Sequence, residues 1–213
     1  DIVRHGVKFT GMPAWPTAGR DDEVWAVVAF LRALPGTDAA AYDRMVRGDT
    51  AATVVSAEVP SLIVDNCGRC HGVDGRGRAP GGFPALAGQR VEYLLASLEA
   101  YARGARRSGM MGPVAAELTP AERVTLARYY SGLPARPATA GGDAAAIARG
   151  AEIARRGVPG ARVPACAGCH GPGGVERNPR HPRLAGQHAA ELGLQLELFR
   201  QGVRGGTSYA HLM

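Results

Sequence analysis

Apolar residues recur at helical spacing in several segments of the chain, and no segment shows the strict alternation typical of a half-buried strand. Trp25, Val28 and Leu31, for instance, are three residues apart and would lie on one face of a helix. The pattern predicts helices over 21–34, 38–47, 66–71, 89–104, 120–132, 144–156 and 187–201. We therefore expect an all-α chain made of small helical bundles.

Capping residues mark the predicted starts of two of these helices. The sequence Thr119-Pro-Ala-Glu122 has the form of a capping box with proline at the first helical position. Asp143 stands directly before the helix over 144–156, where its carboxylate would cap the first N–H groups. Between these two helices, residues 135–142 are rich in Pro, Ala and Gly, which predicts an interdomain linker.

The composition limits the class of protein. Apolar residues make up 46% of the chain, which excludes a disordered polar chain. No apolar run approaches the roughly 18 residues of a membrane span, so no transmembrane segment is predicted. Glycine (30) and proline (15) together make up 21% of the 213 residues, whereas aromatic residues make up 6%. Such a chain has little side-chain bulk for a core, so we expect another component to fill it.

The charge is basic but dispersed. A net charge of +6 and an isoelectric point near 9.5 suggest an acidic partner or surface. The arginines are scattered as pairs, without a block of five or six cations and without interleaved aromatic residues, so nucleic-acid binding is not expected. The first residues lack the basic start and apolar run of a signal peptide, which suggests a mature form or a fragment.

The four cysteines of the chain lie in two identical five-residue frames. These frames are Cys67-Gly-Arg-Cys70-His71 and Cys166-Ala-Gly-Cys169-His170. The pattern C-x-x-C-H is the attachment sequence of c-type haem. Two thiols at this spacing add to the two vinyl groups of one porphyrin, and the adjacent histidine then binds the iron.

Three other uses of paired cysteines fit the sequence less well. A thioredoxin-like redox pair follows a strand, but no β-rich run precedes either frame. A zinc site shared by the two pairs would leave the histidine of each frame without a role. Structural disulfides would not require the frame to be repeated. Haem attachment is therefore the interpretation that we carry forward.

The sequence downstream of the two frames is repeated as well. The first copy contains Phe83-Pro84-Ala-Leu-Ala-Gly-Gln89 and a Gly-x-Arg triplet that ends at Arg106. The second copy contains His181-Pro182-Arg-Leu-Ala-Gly-Gln187 and a triplet that ends at Arg204. Equivalent positions stay 98 or 99 residues apart, which indicates an internal duplication.

From residue 60 to residue 213, this order of motifs resembles class I cytochromes c, and most closely the dihaem cytochrome c4 type. The resemblance implies tandem class I cytochrome c domains, wrapped round two covalently attached haems c. It also implies that the carbonyl of Pro84 holds the imidazole of His71, and that Pro182 holds His170. A fixed partner of this kind sets the orientation and basicity of an iron-bound imidazole.

The resemblance assigns a role to two arginines. Arg106 and Arg204, at the ends of the Gly-x-Arg triplets, would neutralise haem propionates. The alternative is that both are solvated cations, favoured by the dipole at a helix end.

The sixth iron ligand is expected to be methionine, because His/Met ligation is usual for electron-transfer haems. Met111 is preferred for the first haem, since related proteins place this ligand seven residues before the equivalent of Leu118. Its neighbour Met110 is the alternative, and both fall in a segment with Gly and Pro that predicts a loop. For the second haem the candidate is Met213, with His211 as its rival.

Residues 1–47 resemble the back half of a further cytochrome c domain. Met12 precedes Leu34 and a proline by the same 22 residues that separate Met111 from Leu133. Two explanations stay open for this segment. It is either the tail of a preceding domain in a trihaem protein, with Met12 as its axial ligand, or an arm that supplies a final helix to the last domain.

The predicted organisation therefore has four parts. The first, 1–47, is a C-terminal half-domain or a helical arm, and the second, 48–134, is a cytochrome c domain. The third, 135–142, is a linker, and the fourth, 143–213, is a cytochrome c domain without its final helix. The chain is thus expected to begin and end within domains.

These motifs predict a multihaem c-type cytochrome that carries single electrons in a respiratory chain, alone or as the cytochrome subunit of an oxidoreductase complex. Six-coordinate iron leaves no open position for a substrate, so an enzyme is not expected. The expected partners are redox proteins, and association with a membrane complex is a further possibility. Covalent haem attachment takes place on the periplasmic side in bacteria, which predicts a periplasmic location or the periplasmic face of the inner membrane. The alternative is a peroxidase-like or thiosulfate-oxidising haem enzyme with a displaceable ligand in the second domain.

Overall fold

The computed structural model of the protein describes residues 1–47, 60–78, 82–138, 141–171 and 176–213. The helices, numbered here in chain order, are Ile2–His5 (α1), Asp21–Ala33 (α2), Ala39–Arg47 (α3), Gly68–His71 (α4), Val91–Ala102 (α5), Met111–Glu117 (α6), Pro120–Gly132 (α7), Ala144–Arg156 (α8), Ala167–His170 (α9) and Ala189–Arg200 (α10). A π-helical turn, Ile63–Cys67, leads into α4, and 3₁₀ turns occupy Leu34–Gly36, Pro159–Ala161 and Ala210–Leu212. Within the described ranges, β-pairing is limited to two isolated bridges.

The helix starts that carry capping residues are as predicted. The Thr119 side chain accepts a hydrogen bond from the Glu122 backbone, and the Glu122 carboxylate accepts one from the Thr119 backbone, which completes the capping box. The Asp143 carboxylate accepts hydrogen bonds from the N–H groups of Ala145 and Ala146, both at 3.1 Å. Local hydrogen bonds of this kind are the part of a fold that short sequence motifs specify best.

The structure corrects the prediction of a loop around Met110 and Met111, because helix α6 begins at Met111. Gly112 and Pro113 made the segment look irregular, but both lie in the first helical turn. Proline is tolerated there, since the N–H groups of the first turn have no intrahelical partner. The methionine pair therefore stands at the start of a helix.

The unit that contains the first haem frame is built on an apolar core. Ile63, Leu126 and Tyr130 are its most deeply buried large side chains, and α6 and α7 both pack against α5. The hydroxyl of Tyr130 donates to the carbonyl of Gly72 at 3.2 Å, and the hydroxyl of Tyr129 donates to that of Val73 at 2.8 Å. These bonds tie α7 to the turn that follows the haem frame.

The two repeats contact each other through reciprocal hydrogen bonds. The Gln89 side-chain amide donates to the carbonyl of Arg183 at 2.8 Å and accepts from its N–H at 2.9 Å. The Gln187 side-chain amide makes the same pair of bonds with Ala85, at 3.0 and 2.9 Å. Equivalent residues thus exchange equivalent bonds, so the two repeats are related by approximate two-fold symmetry at this contact.

The N-terminal segment lies against the first haem-bearing unit. Arg20, just before α2, donates to the carbonyl of Arg107 at 2.6 Å, and the Glu23 carboxylate bonds to Ser108 and Gly109. Helix α8, in the second haem-bearing unit, has no buried residue. Both explanations of residues 1–47, the tail of a preceding domain and an arm that supplies a helix to the last domain, stay predictions.

The glutamine contact gives the first testable prediction. Gln187→Ala should lower the free energy of unfolding by about 2 kcal/mol, because it leaves the buried N–H and C=O groups of Ala85 without partners. Chemical denaturation of the holo-protein measures this change. The control is Gln201→Ala, since among the described residues the Gln201 side chain makes an exposed hydrogen bond to Glu197 of α10, and its loss should cost little. Equal effects of the two substitutions would contradict the prediction.

Candidate haem sites

The first haem frame is presented by two short helical turns. Cys67 ends the π-helical turn Ile63–Cys67, and Cys70 and His71 lie on α4. His71 is buried, and its Nδ1 lies 3.0 Å from the carbonyl oxygen of Pro84. A carbonyl only accepts hydrogen bonds, so Nδ1 carries the proton and Nε2 keeps the lone pair that would bind iron.

The second frame repeats this geometry. Cys169 and His170 lie on α9, and Nδ1 of His170 lies 2.9 Å from the carbonyl oxygen of Pro182. The residue before each proline also packs beside the imidazole. The ring centroid of Phe83 is 6.3 Å from that of His71, and the ring centroid of His181 is 5.7 Å from that of His170. The roles predicted for Pro84 and Pro182 are consistent with both distances to the carbonyls.

Burial keeps both imidazoles neutral. Loss of solvent lowers the pKa of His71, and the nearby Arg78 guanidinium lowers it further, against the opposing effect of the bond to Pro84. Burial likewise lowers the pKa of His170, with a smaller contribution from His181. A neutral imidazole is the form that binds a metal ion, so each histidine is ready to ligate near neutral pH.

The thiols fit haem attachment better than redox or zinc chemistry. None of the four cysteines is in a disulfide. Burial raises the pKa of the Cys67 thiol to about 11, and the neighbouring Cys70 makes a smaller contribution in the same direction. A redox-active thiol has a lowered pKa, which is the opposite direction. Across the described ranges, no three His, Cys, Asp or Glu side chains converge to hold a metal ion, so the two pairs do not form one zinc site. Paired thiols beside an imidazole with a fixed Nδ1–H are the residues that a covalently attached haem requires.

Arg106 and Arg204 meet at the contact between the two repeats. Both donate to Oε1 of Gln195, at 3.2 and 2.7 Å. Arg106 is 7% exposed, and its guanidinium lies over the ring of Tyr101 at 4.6 Å from the centroid. Burial, together with repulsion from Arg106, lowers the pKa of Arg204 to about 10, which leaves it protonated at neutral pH. Arg106 is buried and Arg204 half-buried, so an anionic group such as a propionate would be a suitable partner for both charges. The propionate role of Arg106 and Arg204 stays a prediction.

The predicted axial ligands differ in exposure. Met111 is half-buried at the first position of α6, whereas Met110 is 49% exposed. Met213 is 48% exposed and follows the turn Ala210–Leu212, in which Nδ1 of the exposed His211 donates to the carbonyl of Ser208 at 3.2 Å. The assignments of Met111 and Met213 as iron ligands stay predictions.

Sequence reasoning did not assign a role to Gln89 and Gln187, although both stand in the repeated motif. Their function lies in contacts 94 and 102 residues away along the chain, which no local pattern encodes. The available signal was that both repeats carry the same polar side chain at the same place after the proline.

Comparison with known proteins places this geometry in a family. Residues 56–133 match the Cytochrome c family model. Cytochrome c4 from Thiocapsa roseopersicina is 39% identical over 140 residues, which cover 65% of this chain and 71% of the relative. The chain belongs to the cytochrome c4 family. The crystal structure of reduced recombinant cytochrome c4 from Pseudomonas stutzeri has a TM-score of 0.62 at 35% identity, and the match covers 68% of this chain and 80% of that one.

A further relative of this chain is the thiosulfate dehydrogenase electron acceptor from Stutzerimonas stutzeri (strain A1501). It is 41% identical over 139 residues, which cover 65% of this chain and 64% of the relative. The chain thus spans slightly less than two thirds of the length of that relative. Family membership confirms the predicted all-α class I cytochrome c fold and two covalently bound haems c as the cofactors.

The methionine pair gives the second prediction. Met111→Ala should convert the first haem from low spin to high spin and lower its reduction potential, because the soft thioether stabilises ferrous iron. Electron paramagnetic resonance and a redox titration measure the two effects. Met110→Ala is the matched control and should leave both haems low spin; if it produces the high-spin haem instead, Met110 is the ligand.

Proposed function

We propose that this member of the cytochrome c4 family is a dihaem electron carrier that passes single electrons between redox proteins, alone or as the cytochrome subunit of an oxidoreductase. The observation that carries the proposal is the duplicated site, in which each histidine is fixed by a proline carbonyl at 3.0 or 2.9 Å. Direct hydrogen bonds between the loops that carry these prolines support transfer from one haem to the other. An enzyme is not favoured, because the relatives are named as cytochromes and electron acceptors.

The residues of the chain set the properties of each site. When bound, each haem supplies an Fe(III)/Fe(II) couple that takes up or releases one electron. His71 and His170 supply the proximal nitrogen, and the proline carbonyls hold their orientation and raise their basicity. Met111 and Met213 would complete the axial ligands and leave no open position for a substrate. The cysteines would hold each haem by two covalent bonds, so that the cofactor stays bound in both oxidation states.

The proposed partners are redox proteins with an acidic docking surface. Exposed arginines surround the second haem frame, among them Arg155, Arg156 and Arg177. Arg155 and Arg156 both pair with Glu152 on α8, so this face carries more positive than negative charge. Since one relative is named a thiosulfate dehydrogenase electron acceptor, a dehydrogenase of that class is the first electron donor to test.

The proposed location is the periplasm or the periplasmic face of the inner membrane, where haem c is attached in bacteria. Among the described residues, no helix is long and apolar enough to cross a bilayer.

The carrier function gives the third prediction. The ferric holo-protein should contain two low-spin haems, take up two electrons in a titration and bind no cyanide within the time of a turnover. Reduction by a thiosulfate dehydrogenase should slow as ionic strength rises, because salt screens the attraction between a basic and an acidic surface. The Met111→Ala protein is the positive control for an open haem. A wild-type haem that is high spin and binds cyanide quickly would instead support the haem-enzyme alternative.

A further inference from the structure

The carboxylate of Glu23, in the first turn of α2, is buried against the segment that leads to the predicted axial methionine. Its Oε1 accepts a hydrogen bond from the hydroxyl of Ser108 at 2.6 Å. Its Oε2 accepts one from the N–H of Gly109 at 2.6 Å and one from Nε1 of Trp15 at 3.0 Å. Only 11% of this side chain is exposed, so the carboxylate depends on these donors in place of water.

Arg20 completes the contact from the other side. Its Nη1 lies 3.1 Å from Oε1 of Glu23 and donates to the carbonyl of Arg107 at 2.6 Å. Its Nε and Nη2 form a bidentate pair with Asp22, at 2.9 and 2.8 Å. The guanidinium is therefore held by two carboxylates and in turn holds the backbone directly before Ser108.

The hydroxyl of Ser108 connects Glu23 to the start of α6 by hydrogen bonds. While it donates to Glu23, it accepts hydrogen bonds from the N–H groups of Met110 and Met111, at 3.3 and 3.1 Å. Both N–H groups belong to the helix start, where no intrahelical partner is available. The carboxylate of Glu23 is thus one hydroxyl group away from the backbone of Met111.

The segment that contains Trp15 and Glu23 also packs closely against Gly109. A Cβ atom at Gly109 would lie 2.2 Å from Nε1 of Trp15, so only glycine allows this approach. Close packing and hydrogen bonds therefore act on the same contact, which holds Ser108 and Gly109 in place against Glu23.

We propose that Glu23, through Ser108, is a positioning residue that holds the axial methionine of the first haem in place. The inference rests on the proposed function, in which Met111 is that ligand. It adds that residues 1–47, whatever their evolutionary origin, stabilise the iron–sulfur bond of the first haem. The second haem, whose proposed ligand lies in another part of the chain, should be independent of Glu23.

The test is Glu23→Gln in the holo-protein. The amide keeps the size of the side chain but removes the charge and turns one acceptor into a donor, which then faces other donors. Cyanide should bind to the ferric first haem about tenfold faster, the size expected when one hydrogen bond to a charged group is lost. The sulfur-to-iron charge-transfer absorption should weaken, and the reduction potential of the first haem should fall. NMR of the low-spin ferric haems distinguishes the two sites, with Met111→Ala identifying the signals of the first.

Two variants separate positioning from general loss of structure. Asp21→Asn is the matched control, because Asp21 lies in the same turn of α2 but is 61% exposed and pairs with Arg4 at the surface. It should leave both haems unchanged. Ser108→Ala should reproduce the effect of Glu23→Gln, and the double variant should be no more severe than either single variant if the two groups act in series.

The outcomes are decisive in both directions. Faster cyanide binding at the first haem alone, with a non-additive double variant, supports the inference. Unchanged cyanide binding in Glu23→Gln, or equal changes at both haems, overturns it while the proposed function stands. If Met111→Ala itself leaves the first haem low spin, the proposed ligand is wrong, and that failure is distinct from the failure of Glu23 to act on it.

Discussion

The hydrogen bond from each proximal imidazole to a proline carbonyl is the constraint on which the rest of the structure depends. It fixes the protonated nitrogen of His71 and of His170, and therefore the nitrogen that faces iron. The carbonyl comes from a loop and not from a helix, so the loop itself has to be held. In both repeats the residue after the proline and the glutamine five residues after it bond to the other repeat. One loop thus sets the ligand geometry of its own site and forms the contact with the neighbouring site.

Much of the local structure follows from short patterns, whereas the long-range contacts do not. The capping box at Thr119 and the cap at Asp143 depend on residues within three positions, and both were predictable. The start of α6 was not predictable, because a glycine followed by a proline, as at Gly112 and Pro113, is compatible both with a loop and with the first turn of a helix. Nothing near Glu23 in the sequence indicates that its partners are Ser108 and Gly109, about 85 residues later. The sequence therefore predicted what each haem frame is, but not what holds the residues around it.

At the contact between the repeats, the glutamine hydrogen bonds are equivalent in the two repeats, but the charged side chains are not. The two arginines at equivalent positions meet there, but Tyr93 in the first repeat is replaced by Glu191 in the second. Burial raises the pKa of Glu191, although Arg106 and Arg204 act in the opposite direction. One buried and one half-buried guanidinium group beside one carboxylate leave an excess of positive charge, which is costly unless an anion balances it. The propionates proposed for this position would supply that balance, so binding of the haems should strengthen the contact between the repeats.

The two residues proposed as axial ligands of the first haem, His71 and Met111, are positioned by different parts of the chain. On the proximal side, the loop of Pro84 is tied to the second repeat through Ala85 and Gln89. On the distal side, the segment before Met111 is tied to α2 through Ser108 and Glu23. With Met111 as the proposed ligand, the strength of the bond between its sulfur and the iron would respond to the N-terminal segment, and the basicity of the imidazole would respond to the second repeat. A change in either contact acts on a different axial ligand, so two haems with the same attachment frame need not have the same reduction potential.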